Sequence, residues 1–67
     1  MWTIERVKAE LPDVSVEWRG RVYRAAVRGR LCAVATVWLL DLPEVSSAWS
    51  WSAVVRSLES GRPLVLV

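Results

Sequence analysis

Five arginines lie within twelve residues of one another, and their type and spacing suggest a chemistry more clearly than any other feature of the sequence. No acidic residue lies between the first and the last of them, so this segment carries a local charge of +5. A guanidinium group binds phosphate through a planar fork of N–H donors, and clustered cations attract the backbone of nucleic acids. We therefore predict a DNA- or RNA-binding surface formed by Arg19, Arg21, Arg24, Arg28 and Arg30.

The same arginines also fit an ordinary solvated sheet face. Glu17 would lie diagonal to Arg24 across two strands, and charged side chains protect exposed strands from pairing with other chains. Contacts between arginine and phosphate position a nucleic acid but do not read its bases. Any binding through this cluster should therefore have little sequence preference.

The sequence offers little for catalysis. It contains no histidine, which is the usual acid–base group near neutral pH, and its seven acidic residues are scattered over predicted helix surfaces and loops. The single Cys32 has no predicted base beside it and fits a small buried core residue. A chain this short also leaves little room for a ligand pocket of about 300 Å³ or more. We predict a non-enzyme with no cofactor, no metal and no small-molecule substrate.

The arginines must be positioned by the segment from Val14 to Leu40, in which the hydrophobic period is two. Tight turns at Arg19-Gly20 and Gly29-Arg30 would fold it into three antiparallel strands. The first turn pairs Val16 with Tyr23, and the second pairs Val27 with Cys32. This register predicts a core face made of Val14, Val16, Trp18, Tyr23, Ala25, Val27, Cys32, Val34 and Trp38.

The third predicted strand is apolar on both sides, and such a strand is not expected to face water. Its outward side chains would need cover from the C-terminal tail, a second copy of the chain or a partner protein. We therefore predict a protein interface at Leu31, Ala33, Ala35, Val37 and Leu39.

Two helices should flank the strands. Thr3 can cap a first helix from Ile4 to about Leu11, and Ser50 can cap a second that ends at Gly61. Residues 45–49 suggest a short extended piece, and the apolar residues 64–67 an edge strand or a tail docked on the sheet. The predicted fold is a single small α+β domain, residues 1–67, of order α-β-β-β-α, with a three-stranded antiparallel sheet packed on one face by two helices.

This order of elements is similar to the double-stranded RNA-binding domain. Without the first helix it resembles the arm-type DNA-binding domains of tyrosine recombinases. The RNA-binding family holds phosphates with lysines at the start of its last helix, where this chain has Ser50, Trp51 and Ser52. The recombinase-like domains use the open sheet face, which implies DNA contact by Arg24 and Arg28. The stretch from Ser50 to Leu64 looks like the ends of small bacterial proteins, which implies no function.

Composition bears on location and partners. The longest apolar run, Leu31 to Leu40, is about half the roughly 20 residues that a membrane helix needs, and Glu5, Arg6 and Lys8 are atypical of an export signal. With a single cysteine, we expect a cytoplasmic protein without membrane contact. A small, 54% apolar chain with five tryptophans favours self-association. The tryptophans would either stack on unpaired bases or, as the spacing of Trp18, Trp38 and Trp51 indicates, fill the core.

Two functions follow as expectations. The first is a small non-catalytic module that contacts nucleic-acid phosphate through the arginines. The alternative is a protein-interaction module, either a homodimer or a small inhibitor or adaptor, that uses the outer face of the third strand.

Overall fold

The computed structural model describes all residues, 1–67, and contains two helices and a five-stranded mixed sheet. The order along the chain is α1 (Ile4–Glu10), β1 (Val14–Trp18), β2 (Arg21–Arg28), β3 (Val34–Leu39), β4 (Ser46–Ser50), α2 (Trp51–Ser60) and β5 (Leu64–Leu66). The strands are arranged in the order β4-β3-β2-β1-β5. The α+β class is confirmed, but the prediction of a three-stranded sheet is wrong, because residues 46–50 and 64–66 add a strand at each edge.

Local capping signals determine where the helices begin and end. The Thr3 side chain accepts a hydrogen bond from the Arg6 backbone N–H, and the Ser50 side chain accepts one from that of Ala53, each at 3.1 Å. Gly61 ends α2 with a φ of 74°, in the left-handed region where glycine carries no steric penalty. The predicted caps are confirmed, and α1 ends at Glu10, one residue before the predicted Leu11.

The first hairpin has the predicted register. Val16 pairs with Tyr23 and Val14 with Ala25, across a turn in which Arg19 and Gly20 have φ values of 50° and 79°. Two successive positive φ values are typical of the tight turns whose twist matches that of paired strands. The alternation of apolar and polar side chains in β1, together with this turn, was therefore sufficient to predict the pairing of β1 with β2.

The second hairpin has a different register from the predicted one. Val27 pairs with Val37 and not with Cys32, a shift of five residues, because β2 and β3 are joined by a five-residue loop, residues 29–33. Within this loop the backbone N–H of Cys32 donates to the Gly29 carbonyl at 2.7 Å. Side chains alternate between the two faces of a strand, so a shift by an odd number turns every β3 side chain to the opposite face.

One hydrophobic core lies between the sheet and the two helices. It joins Val7 of α1 and Trp51 and Val54 of α2 to the inward side chains of the strands. Those inward side chains are Val14, Val16, Ala25, Val27, Ala35, Val37, Leu39 and Leu64. The predicted core residues Cys32 and Val34 are exposed, and Trp38 is half-buried on the other side of the sheet.

Candidate protein-interaction surface

The side of the sheet that faces away from the helices is called the outer face here. The strand pairing defines it, because paired residues point to the same side. Every other element that packs on the sheet does so from the inner side, through the core described above. The outer face consists of Ser15, Glu17, Val22, Arg24, Ala26, Arg28, Val34, Thr36, Trp38, Ser46, Ala48, Ser50 and Val65.

Much of the outer face is apolar and open to water. Val22 is 61% exposed, Val34 45% and Val65 53%. Leu40, which follows β3 directly, is 44% exposed and is held beside the face by a hydrogen bond from its N–H to the Arg24 carbonyl. Contiguous exposed apolar patches are characteristic of interaction surfaces, whereas scattered exposed apolar residues are ordinary.

Trp38 lies in the middle of this apolar region. It pairs with Ala26, which is only 4% exposed although it belongs to the outer face. The Arg28 guanidinium lies over the indole ring, 5.1 Å from the centroid. This cation–π contact restrains the indole ring, so a binding partner would find it already ordered.

The charges of the outer face nearly cancel. Arg24 forms an ion pair with Asp13, with Nη2 and Oδ2 2.6 Å apart. Two charges remain without an ion-pair partner: Glu17, between Val22 and Val65, and Arg28 at the far end of β2. The Arg28 guanidinium donates only to the Val27 carbonyl, at 2.8 Å.

The five predicted nucleic-acid-binding arginines are not gathered on one surface. Arg24 and Arg28 share the outer face, while Arg19 lies in the first turn with its guanidinium 4.6 Å from the centre of the Trp18 ring. Arg21 is paired with Trp18 and therefore points to the inner side, at the end of the sheet. Arg30 lies in the loop at the other end of β2.

The placement expected for the predicted protein interface is wrong for three of its five residues. Ala35, Val37 and Leu39 are at most 2% exposed and belong to the core. The physical reason is the shifted register of β3, which turns them toward the helices. The other two, Leu31 and Ala33, are exposed in the loop between β2 and β3.

The sequence analysis missed Trp38, Val34 and Val65 as outer-face residues. The sequence carries no signal that places Trp38 on the outer face, because the inner side of the same sheet also holds two other tryptophans and a tyrosine. The signal for Val65 is the apolar run after Pro63, which predicts an edge strand.

A hydrogen bond from α2 holds the loop between β2 and β3 in place. The Trp51 indole N–H donates to the Cys32 carbonyl at 2.9 Å, so α2 is tied to this loop. The Cys32 thiol is exposed, in contrast to the predicted buried position. Gly29 has a φ of 102°, and a Cβ there would lie 3.0 Å from the Val34 carbonyl oxygen.

The concavities of the surface lie on the helical side. The largest is open, has a volume of about 620 Å³ and is lined by Val55, Arg56, Glu59, Ser60 and Arg62. Its size exceeds what we expected for so short a chain, but only one of its lining residues is apolar, whereas ligand sites are mostly apolar.

Three findings complete the description of the chain. The structure brings no three histidine, cysteine or acidic side chains together into a group that would hold a metal ion. Neither helix has the length and hydropathy needed to cross a membrane. Comparisons with models of protein families, with curated proteins and with solved structures give no match for this chain.

Proposed function

We propose that this protein is a non-catalytic interaction module that self-associates through the outer face of its sheet. One observation supports this most directly: a half-buried tryptophan lies beside Ala26 and Leu40, with exposed valines toward both ends, on a sheet face against which no helix of the chain packs. Near-neutral charge on this face supports a second copy as the partner, since two such faces do not repel each other.

The size of the face sets the expected strength of the dimer. The five strands have 5, 8, 6, 5 and 3 residues, and at roughly 4.8 Å between strands and 3.3 Å per residue they cover roughly 430 Å². Two copies would bury roughly 900 Å² in total, which is small for a specific interface. Interfaces of this size are typical of weak, transient complexes, so we expect a dissociation constant on the order of tens of micromolar.

Sedimentation velocity across a concentration series tests this proposal. We expect a species of one chain, 7.6 kDa, at low micromolar concentration and a species of twice that mass at hundreds of micromolar. High salt should change the equilibrium little, because apolar burial supplies most of the free energy of association. A chain that stays monomeric up to about 1 mM, where even weak specific interfaces associate, would overturn the proposal.

Contact with nucleic-acid phosphate is a second candidate function, and one observation favours it. Arg19, Arg21, Arg28 and Arg30 have no carboxylate within ion-pair distance, so most of their N–H donors are free for phosphate oxygens. They lie in two groups at the two ends of β2, so each group can contact a different phosphate. This arrangement supports non-specific contact without base recognition.

Titration of labelled duplex DNA, single-stranded DNA and RNA tests the second candidate. We expect binding that falls steeply between about 50 and 200 mM salt, because phosphate contacts release counterions. The double variant Arg21→Glu and Arg30→Glu should weaken this binding at least about ten-fold. The matched control is Arg56→Glu with Arg62→Glu, which makes the same charge change on α2 and just after it. Equal loss in both variants would indicate net charge alone, and no binding at low salt would exclude the function.

A further inference from the structure

We infer that the two copies of the proposed dimer are related by a two-fold axis that lies in the interface perpendicular to the strands. In this arrangement Glu17 of each copy meets Arg28 of the other. The inference rests on the proposed self-association and adds the geometry of the interface to it.

The two unpaired charges of the outer face lie at opposite ends of the sheet. Glu17 is next to Val22 at the start of β2, and Arg28 is the last residue of that strand. We call the position of a residue along the strand direction its level. Six residues of strand separate the levels of Glu17 and Arg28 by roughly 20 Å, so the two side chains do not meet within one chain. Neither Glu17 nor Arg28 forms an ion pair within its own chain.

Two symmetric ways of stacking identical sheets face to face keep the strands of the two copies aligned, as in the common aligned packing of sheets. An axis parallel to the strands keeps each residue at its level and places β1 above β3 or β4 of the second copy. Glu17 then faces a strand that carries no cation, since the outer residues of β3 and β4 are uncharged. An axis perpendicular to the strands places β2 above β2 in the opposite direction, which brings the Arg28 level of one copy to the Glu17 level of the other.

Charge complementarity therefore selects the perpendicular axis. Glu17 and the Arg28 of the second copy then lie on neighbouring strand positions, about 4.8 Å apart sideways. The two sheets are about 10 Å apart, and the two side chains together are long enough to span the distance between the sheets. Two such contacts form in each dimer. Arg24 adds no unpaired positive charge near the axis, because Asp13 of its own chain neutralises it.

The same axis brings apolar groups together at the centre. Trp38 lies at the level of Ala26, and Leu40 lies beside Arg24, one step further along the sheet. The rotation exchanges these two levels, so Trp38 of each copy faces Leu40 of the other. An apolar centre flanked by charged contacts is the usual arrangement of a specific interface.

Charge reversal at the two positions tests the geometry by sedimentation. Glu17→Arg and Arg28→Glu should each weaken self-association about ten-fold or more, because each places two like charges in both contacts. An equimolar mixture of the two variants should associate within about three-fold of the wild type, since both contacts of the mixed dimer are again between opposite charges. Circular dichroism and urea unfolding of each variant confirm that it is folded.

The outcomes separate this inference from the proposal on which it rests. If the wild type associates and the single variants associate equally well, the proposed geometry is wrong, but self-association is supported. Folded single variants that remain monomeric when mixed also overturn it. A monomeric wild type overturns both. Restoration only in the mixture supports the inference, because charges within one chain cannot explain it.

Discussion

Replacement of Leu39 by alanine is expected to lower the free energy of unfolding by about 2–5 kcal/mol. Leu39 is 1% exposed and is among the largest fully buried side chains, so the truncation leaves a cavity between β3 and the helices. At about 0.05–0.15 kcal/mol per residue, a domain of this size has a total stability of only roughly 3–10 kcal/mol. A shift of the urea midpoint, measured at a concentration where the chain is monomeric, reports the loss.

The neighbouring leucine provides a matched control. Leu40 is 44% exposed on the outer side, so Leu40→Ala removes the same atoms and should cost less than about 1 kcal/mol. The two substitutions also test the register of the second hairpin. If Leu40→Ala proved the more damaging of the two, β3 would present its other set of side chains to the helices.

The parts of the fold that could be predicted have local signals. A capping threonine, a capping serine and a glycine at a left-handed position each act within a few residues, so the helix ends follow from short stretches of sequence. The first hairpin was predictable because β1 alternates valine with serine and glutamate, and the tight turn at Arg19-Gly20 sets how β2 pairs with it.

The second hairpin could not be predicted in the same way. The segment Ala33 to Leu40 has large or apolar side chains at both odd and even positions, so alternation does not distinguish its two faces. A two-residue turn at Gly29-Arg30 was compatible with the sequence, but the chain forms a five-residue loop there. The choice depends on long-range packing against α2, including the bond from the Trp51 indole to the Cys32 carbonyl. Such tertiary preferences override local turn signals.

The shifted register of β3 misplaced the predicted protein interface but did not affect the arginines of β2. The arginine cluster was real as a feature of the sequence, but a strand of eight residues separates its members by more than the reach of one phosphate site. The prediction of an uncovered apolar strand assigned the wrong β3 residues to the outer face. Because β3 turns its other side toward the helices, Ala35, Val37 and Leu39 enter the core, and Trp38 and Val34 are left on the outer face.

Substitution of Trp38 by threonine is expected to weaken self-association on the order of 100-fold. Tryptophan at the centre of an interface contributes a large buried area at a small entropic cost, and threonine keeps the preference for a strand. Because Trp38 lies outside the core, the free energy of unfolding of the monomer should fall by less than it does for Leu39→Ala. Sedimentation gives the dissociation constant, and urea unfolding gives the stability of the same sample.

Trp2→Thr is the matched control for this change. Trp2 lies on the helical side, where its ring stacks on the Arg6 guanidinium at 3.9 Å and its backbone N–H donates to Glu59. Its loss should lower stability somewhat and leave association unchanged. If Trp38→Thr associated as the wild type does, the dimer would have to form through another surface. The outer edges of β4 and β5 are such surfaces, because their backbone groups have no strand partner and can bind a second chain. The two tryptophans thus distinguish contact through the sheet face from contact through a sheet edge.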